Sequence, residues 1–331
     1  MIPMSPETFR GCGCGGSLSI MLVLVIDTAT PYVTAGLVDV RSRNEVSARS
    51  CRRVRDARAH NEVLTPFIME CCEDAGVRPS DIDAVVGGVG PGPFTGLRVG
   101  MATAAAFGDA LGIPVIGVCS LDGLAWNVVA GASGLGDECE SCMGKHGGLA
   151  VGHHHVACEG DSIIVATDAR RREVYWATYR VVGGRPVRIT DPEVTRPADV
   201  IVPGQVPCCG VVCESVADSL VSSLSRGEET MSAEQMVEAE PDIVNLVRAA
   251  CDRPTNVASH QAMGAPLPDT HGRDLFPPMS DLLPLTPLYL RRPDAVPPAP
   301  RPISPAIGEE AVTQARQVTR GMPIVEEKMS P

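Results

Sequence analysis

Aromatic residues are scarce: 5 Phe, 4 Tyr and 2 Trp in 331 residues, or 3% of the chain. Val, Ile, Leu and Ala must therefore fill any interior, and a hydrophobic content of 44% suffices for one large core or two modest ones. Positive charge is also short, with 28 Lys and Arg against 40 Asp and Glu and a net charge of -12. That balance argues against broad, sequence-independent clamping of nucleic-acid phosphates, which needs clustered cations. Long apolar runs are missing too. The run at 18–26 is about half of the ~20 residues that a bilayer requires, and it stops at Asp27. Neither a G-x-S-x-G elbow nor an H-E-x-x-H helix occurs.

The 13 cysteines are an odd number in a long chain, which does not suit the disulfide framework of a small secreted protein. Two pairs, Cys71-Cys72 and Cys208-Cys209, are adjacent in sequence and poorly placed to bridge distant loops. Residues 1–20 contain one basic residue, Arg10, and no A-x-A box follows the short apolar stretch. These features predict a reducing, cytoplasmic setting with most thiols reduced.

The chain divides by composition. Residues 1–20 are rich in Gly, Ser and Pro and read as a disordered leader; Met21 then opens a strand, MLVLVID. Further strands are expected at 33–38 and within 45–54, the first two forming a hairpin about Pro31-Tyr32. His60 to Ala75 reads as a helix closed by Gly76, with Val63, Leu64, Phe67, Ile68 and Cys71 on one face and a local weakening at Pro66. A buried strand at 82–89, a helix at 95–111 with Thr95 as its cap, and a strand at 115–118 follow. Residues 131–160 read as an inserted loop. Residues 162–181 read as two strands about a turn at 169–172, which repeats the opening theme of a strand ending in aspartate (Asp27, Asp168). A helix is expected at 232–251, a second insertion at 252–284, an ordered end at 285–295 and a Pro-rich tail from 296, since 12 of the 29 prolines lie beyond residue 276.

Four features carry candidate chemistry. Asp27-Thr28-Ala29-Thr30 can turn hydroxyls and backbone N–H groups toward a metal-bound phosphate, or can simply join two strands. The loop from Gly87 to Gly96 leaves a strand and opens a helix, where anions bind. It matches neither G-x-G-x-x-G nor the P-loop pattern, its two prolines remove N–H donors, and its nearest cation is Arg98. A rigid turn that lets a glycine-faced helix approach the sheet is the other reading. Cys139, Cys142, His146 and Cys158 have the flavour of a zinc knuckle without a second C-x-x-C, so the segment reads either as a metal site or as an insert that binds nothing. Finally, the helix at 95–111 is rich in Gly and Ala with Val99, Met101 and Phe107 as larger contacts, so one of its faces is a candidate for a protein partner.

VIDTAT at 25–30, ARAHNEVLTPFI at 57–68, GGVGPGPFTGLRVGMATA at 87–104, DARRREVYWA at 168–177 and PLYLRRP at 287–293 together resemble the TsaB (YeaZ) family. The resemblance runs from about Met21 to Ala295, interrupted by the two insertions. It implies the ASKHA fold of actin, Hsp70 and sugar kinases: an α/β chain of two related subdomains, each a mixed sheet flanked by helices. The expected division is 21–118 and 119–295, the second ending in a return helix. The resemblance further implies a role in making N6-threonylcarbamoyladenosine at position 37 of tRNAs that read ANN codons. There the chain would be a non-catalytic scaffold beside a catalytic paralogue, TsaD, with an ATPase, TsaE, and with tRNA reached through the complex. The paralogue carries H-x-x-x-H on its first helix; here His60 is followed four residues on by Leu64, and one imidazole cannot hold a catalytic metal.

The family pairs through its first two helices, with itself when alone. This points to His60, Leu64, Phe67, Ile68, Cys71, Val99, Met101, Ala102 and Ala105 as interface residues. No intrinsic cofactor is expected. ATP or ADP at the partner interface would involve Asp27, Thr28 and Asp168. Because the family begins at the first strand, Met21 is a candidate start. Two other functions compete, a glycoprotease-like peptidase and a stand-alone ASKHA kinase. The sequence supplies neither a nucleophile with its base nor an adenosine pocket for them.

Overall fold

In the computed structural model, residues 20–55, 60–129, 157–204, 207–213, 217–224, 231–232, 235–252 and 285–290 are described. The expected 1–20 leader (but for Ile20), most of the 131–160 insert, nearly all of the second insertion and the tail from 296 lie outside them, as do Cys139, Cys142 and His146.

The first sheet is ordered β3-β2-β1-β4-β5. Its strands are β1 (Met21–Asp27), β2 (Tyr32–Val40), β3 (Val46–Arg55), β4 (Ala84–Gly88) and β5 (Val115–Val118). The hairpin pairs β1 antiparallel to β2, whereas β4 runs parallel to both β1 and β5, so the sheet is mixed. Every residue of β1 and of β4 is buried. That is the consequence of near-continuous apolar sequence in strands covered on both faces. On one face lie α1 (His60–Ala75) and α2 (Phe94–Leu111), whose Leu64, Ile68, Cys71 and Ala104 meet Leu24, Ile26 and Leu37. On the other lies α5 (Ile243–Cys251), which packs Ile243, Leu246 and Val247 against Val23, Val25 and Val86.

The second sheet repeats the plan as β11-β10-β6-β7-β8, with β9 also paired to β7. Its strands are β6 (Ser162–Asp168), β7 (Val174–Val182), β8 (Arg185–Arg188), β9 (Glu193–Thr195), β10 (Cys209–Cys213) and β11 (Met236–Glu238). Again an antiparallel hairpin, β6-β7, adjoins parallel strands, β10 and β11. α3 (Ser120–Ala125) covers one face and α4 (Ala217–Leu224) the other. A polar clasp fixes α3: Asp122 accepts from the Tyr179 hydroxyl at 2.9 Å and from the Arg188 guanidinium at 3.0 Å. Two mixed sheets flanked by helices make this an ASKHA-type α/β fold.

Three expectations are corrected. Thr95 does not cap α2, because the helix begins one residue earlier at Phe94 with Pro93 in the cap position and no side-chain cap bond. The expected helix at 232–251 is instead β11 followed by α5. The Asp242 side chain accepts from Asn245 N–H at 2.9 Å and starts the helix there, just after Pro241. The strand at 82–89 is confined to 84–88. By contrast α1 runs from His60 to Ala75, through Pro66, as read.

Candidate functional site

Asp27 ends β1 among backbone that reaches it only because glycines line the approach. It is 1% exposed. Its Oδ1 accepts from the Ala29 N–H at 2.9 Å and from the Ser120 hydroxyl at 3.1 Å, while Oδ2 is buried with no hydrogen-bond partner. Burial raises its pKa from 3.8 to about 6, against the lowering effect of those hydrogen bonds. A Cβ on Gly88 would stand 2.2 Å from Asp27 Oδ1, one on Gly92 2.0 Å from Ala29 O, and one on Gly100 2.2 Å from Thr28 Oγ1. The Thr28 hydroxyl is engaged as well, donating to Gly96 O at 2.7 Å.

Thus the glycine loop and the start of α2 seat directly on the Asp27 turn. Ser120 N–H donates to Gly90 O at 2.8 Å and closes the arrangement from the α3 side. The C-terminal stretch completes it, with Leu288 N–H donating to Val89 O at 2.9 Å and Leu285 lying against Gly87 and Gly117. Of the two readings of the loop, the close-approach one describes this geometry. Asp27 and Thr28 offer a ligand no exposed atom in this state.

Asp168 occupies the matching position on β6 and is brought to the other sheet, not to Asp27. Its Oδ1 accepts from Arg170 N–H at 2.9 Å. Here the turn is open: Arg170, Arg171 and Arg172 are exposed.

The residues expected at a partner interface separate into two groups. Leu64, Ile68, Cys71 and Met101 are buried, at 1%, 0%, 0% and 8% exposure. The first three face the chain's own sheet within its core. Helical periodicity marks one apolar face without saying what covers it, and for α1 that cover is the sheet. Phe67 and Val99 are half-buried, and Ala102 and Ala105 are exposed. His60 is the first residue of α1. Sequence reasoning named Arg98 only as the loop's nearest cation and did not single out Phe94 and Tyr289. The Phe94 and Tyr289 rings pack at a 35° tilt with centroids 4.9 Å apart, and the Arg98 guanidinium lies 4.9 Å over the Phe94 ring. With Thr95, Val99, Ala102 and Thr103, Phe94 and Arg98 line an open groove of about 410 Å³ on α2. The only hint in sequence was that α2 presents small residues on more than one face.

Cys158 is exposed, and the described cysteines are thiols rather than disulfides. Among the described residues no cluster of three His, Cys, Asp or Glu side chains could hold a metal ion, and no helix is long and apolar enough to cross a membrane.

A family model described as TsaD, tRNA N6-adenosine threonylcarbamoyltransferase, matches residues 55–138, the stretch that carries α1, β4, α2 and α3. An uncharacterized protein of Mycobacterium tuberculosis is 39% identical over 283 residues, covering 85% of this chain and 96% of its own length. The Escherichia coli tRNA threonylcarbamoyladenosine biosynthesis protein TsaB is 29% identical over 163 residues, 48% of this chain and 55% of its own. Among solved structures, YeaZ from Pseudomonas aeruginosa shares the fold with a TM-score of 0.51 at 20% identity, over 78% of this chain and 98% of that one. A second Pseudomonas aeruginosa structure, of an uncharacterized protein with similarity to peptidase YEAZ, gives a TM-score of 0.53 at 21% identity, over 82% and 100%. The chain belongs to one family with that Mycobacterium tuberculosis protein, and over part of its length it is similar to TsaB.

Proposed function

We propose that this chain is a non-catalytic scaffold in the synthesis of N6-threonylcarbamoyladenosine at position 37 of ANN-decoding tRNAs, and that it works by pairing α1 and α2 with a TsaD-type catalytic partner. One observation carries the reading: the outward side of α2 joins an aromatic-cation stack (Phe94, Tyr289, Arg98) to a bare strip (Ala102, Ala105). Aromatic and Arg residues are enriched in interface cores, and small residues let a second backbone come close. The same helices lie in the stretch that matches the TsaD model, so a TsaD-type chain offers a similarly built pair as counterpart. A homodimer through this face is the state proposed for the chain alone, and a TsaE-type ATPase is the third component.

Chemistry on this chain is disfavoured by the residues at the expected centres. Leu64, four residues after His60, is a core residue at 1% exposure, so α1 lacks the second imidazole of a metal pair. Asp27 is occupied by its own turn and by Ser120. We propose the partner interface as the site of any ATP or ADP; the separation of Asp168 from Asp27 on different sheets speaks against the three residues Asp27, Thr28 and Asp168 acting together. No specific observation favours the peptidase or the kinase reading.

The test is Ala105→Glu, which sets a charge on the strip without touching the core. Co-purification with a TsaD-type partner should fall at least tenfold, with modification of tRNA falling in step and the monomer's melting temperature unchanged. Full capture of the partner by this variant would refute the interface.

A further inference from the structure

The turn after Asp168 has a conformation that its residue types do not favour. Arg170, Arg171 and Arg172 have φ of 62°, 56° and 62°, the left-handed region. That region is costly for an L residue with a Cβ, and Gly or Asn holds it far more readily. Hydrogen bonds hold the turn in place. Ala169 N–H donates to Glu173 O at 2.9 Å and Glu173 N–H to Arg170 O at 3.1 Å, while Asp168 accepts from Arg170 N–H at 2.9 Å. All three arginines are exposed. A fourth, Arg196, stands at the same end of the sheet, because Thr195 pairs with Val174, the first residue after the turn, and it too is exposed. Among the described residues, Asp168 and Glu173 are carboxylates of this corner. Asp168 bonds the turn and has Oδ2 3.8 Å from the Arg170 guanidinium, and Glu173 closes the turn. Among the described residues, the three arginines of the turn and Arg196 face solvent at this corner of a chain whose net charge is -12.

We propose that the 169–173 turn is a phosphodiester-binding site that contacts the RNA backbone; this rests on the reading of tRNA as the substrate of the assembly and gives this chain a direct part in holding it. Successive left-handed residues rotate as in a helix, so the three side chains fan outward instead of alternating across a strand. The planar guanidinium fork matches phosphate oxygens in pairs. Strain of this kind persists where the surroundings over-determine it, and it clusters at ligand clamps. The neighbouring aromatics are buried, with Tyr175 at 5% and Trp176 at 2% exposure, so neither is placed to stack on a base. The contact is thus to backbone, carrying position rather than sequence. It is one turn, too small for the broad clamping that the overall charge excludes.

The experiment measures binding of an unmodified tRNA transcript to the full chain, alone and with a TsaD-type partner, as a function of salt. In the variant Arg170→Asn/Arg171→Asn/Arg172→Asn, asparagine tolerates the left-handed backbone and removes the charge. Losing three phosphate contacts should lower the slope of log affinity against log salt by about 2 to 3. Binding at low salt should weaken at least tenfold, and the melting temperature should stay level or rise as strain is relieved. The triple Arg→Lys variant should keep most of the slope. An unchanged slope in the Asn variant overturns the proposal, as does a wild-type chain that binds no tRNA in either form. So does loss of polyglutamate binding with tRNA binding intact, which would make the turn a dock for an acidic protein surface. Partner capture and tRNA modification are read in parallel. An Arg-dependent salt slope in a chain that captures no partner would leave this site standing and sink the scaffold reading instead.

Discussion

Asp27 and Asp168 end matching strands of the two sheets, and each accepts a hydrogen bond from the N–H two residues further on, at 2.9 Å. From that shared start they diverge. After Asp27, itself met by Gly88, come Thr28, Ala29 and Thr30, all buried, with Gly100 against Thr28 and Gly92 against Ala29. After Asp168 come a buried alanine and three exposed arginines in strained backbone. Asp27 has one oxygen without a partner and a raised pKa; Asp168 is half-buried at an open corner. The contrast shows how a repeated β-hairpin unit takes two roles. One copy is sealed so that a helix and a returning C-terminal stretch can build a surface over it. The other remains in contact with solvent. Local hydrogen bonding alone does not decide which; the small residues of the covering loop do.

The contrast is broken most severely at Gly92. Gly92→Ala places a Cβ on the Ala29 carbonyl, a backbone atom that cannot rotate away. We expect a loss of about 3 kcal/mol or more and a fall in melting temperature of about 10 °C. A near-neutral result would mean that the loop does not seal the first turn.

Next in size is the Asp27 carboxyl. Its folded pKa, about 6, lies above the unfolded value of 3.8, so the folded state holds the proton more tightly. Stability from this group is complete below about pH 4 and is lost as pH rises through 6. Asp27→Asn keeps the acceptor oxygen and removes the ionisation. The variant should therefore gain on the wild type between pH 4.5 and 7.5, with a ceiling of roughly 3 kcal/mol from a shift of about two units. Urea midpoints at the two pH values measure this, and a gap that shrinks with rising pH contradicts it.

The smallest effect belongs to the open copy. Asp168→Ala removes the acceptor for Arg170 N–H, worth about 1 kcal/mol in an exposed turn, partly offset as the left-handed arginines relax. Amide exchange at Arg170 should accelerate while the global unfolding midpoint barely moves. A loss as large as that of Gly92→Ala would show that the two copies are equally embedded.

Much of the fold was legible in sequence where a segment was long and its pattern unmixed. The 16 residues of α1, the strand of Met21–Asp27 and the hairpin of β6 and β7 fall where periodicity puts them. Short apolar stretches were not legible. β10, CGVVC, and β11, three residues long, carry no period that distinguishes strand from helix, and so 232–251 read as one helix. At the candidate site, residue types pointed to the glycine loop and to α2. They did not show that Leu64, Ile68, Cys71 and Met101 serve the chain's own core, nor that Tyr289, 195 residues away in sequence, packs on Phe94.

By itself, the sequence determined that this is an α/β chain, because strand and helix periods are local properties of consecutive residues; the expectation of two related halves came with the family resemblance. Its ordered blocks of residues also carried the resemblance to the TsaB (YeaZ) family. Only the tertiary structure decided which apolar faces are spent on the core and which remain outward. It alone decided that one aspartate turn is sealed and the other open. Burial is a relation between segments distant in the chain. The 2.0 Å between a Gly92 Cβ and the Ala29 carbonyl exists only once helix, loop and sheet are stacked.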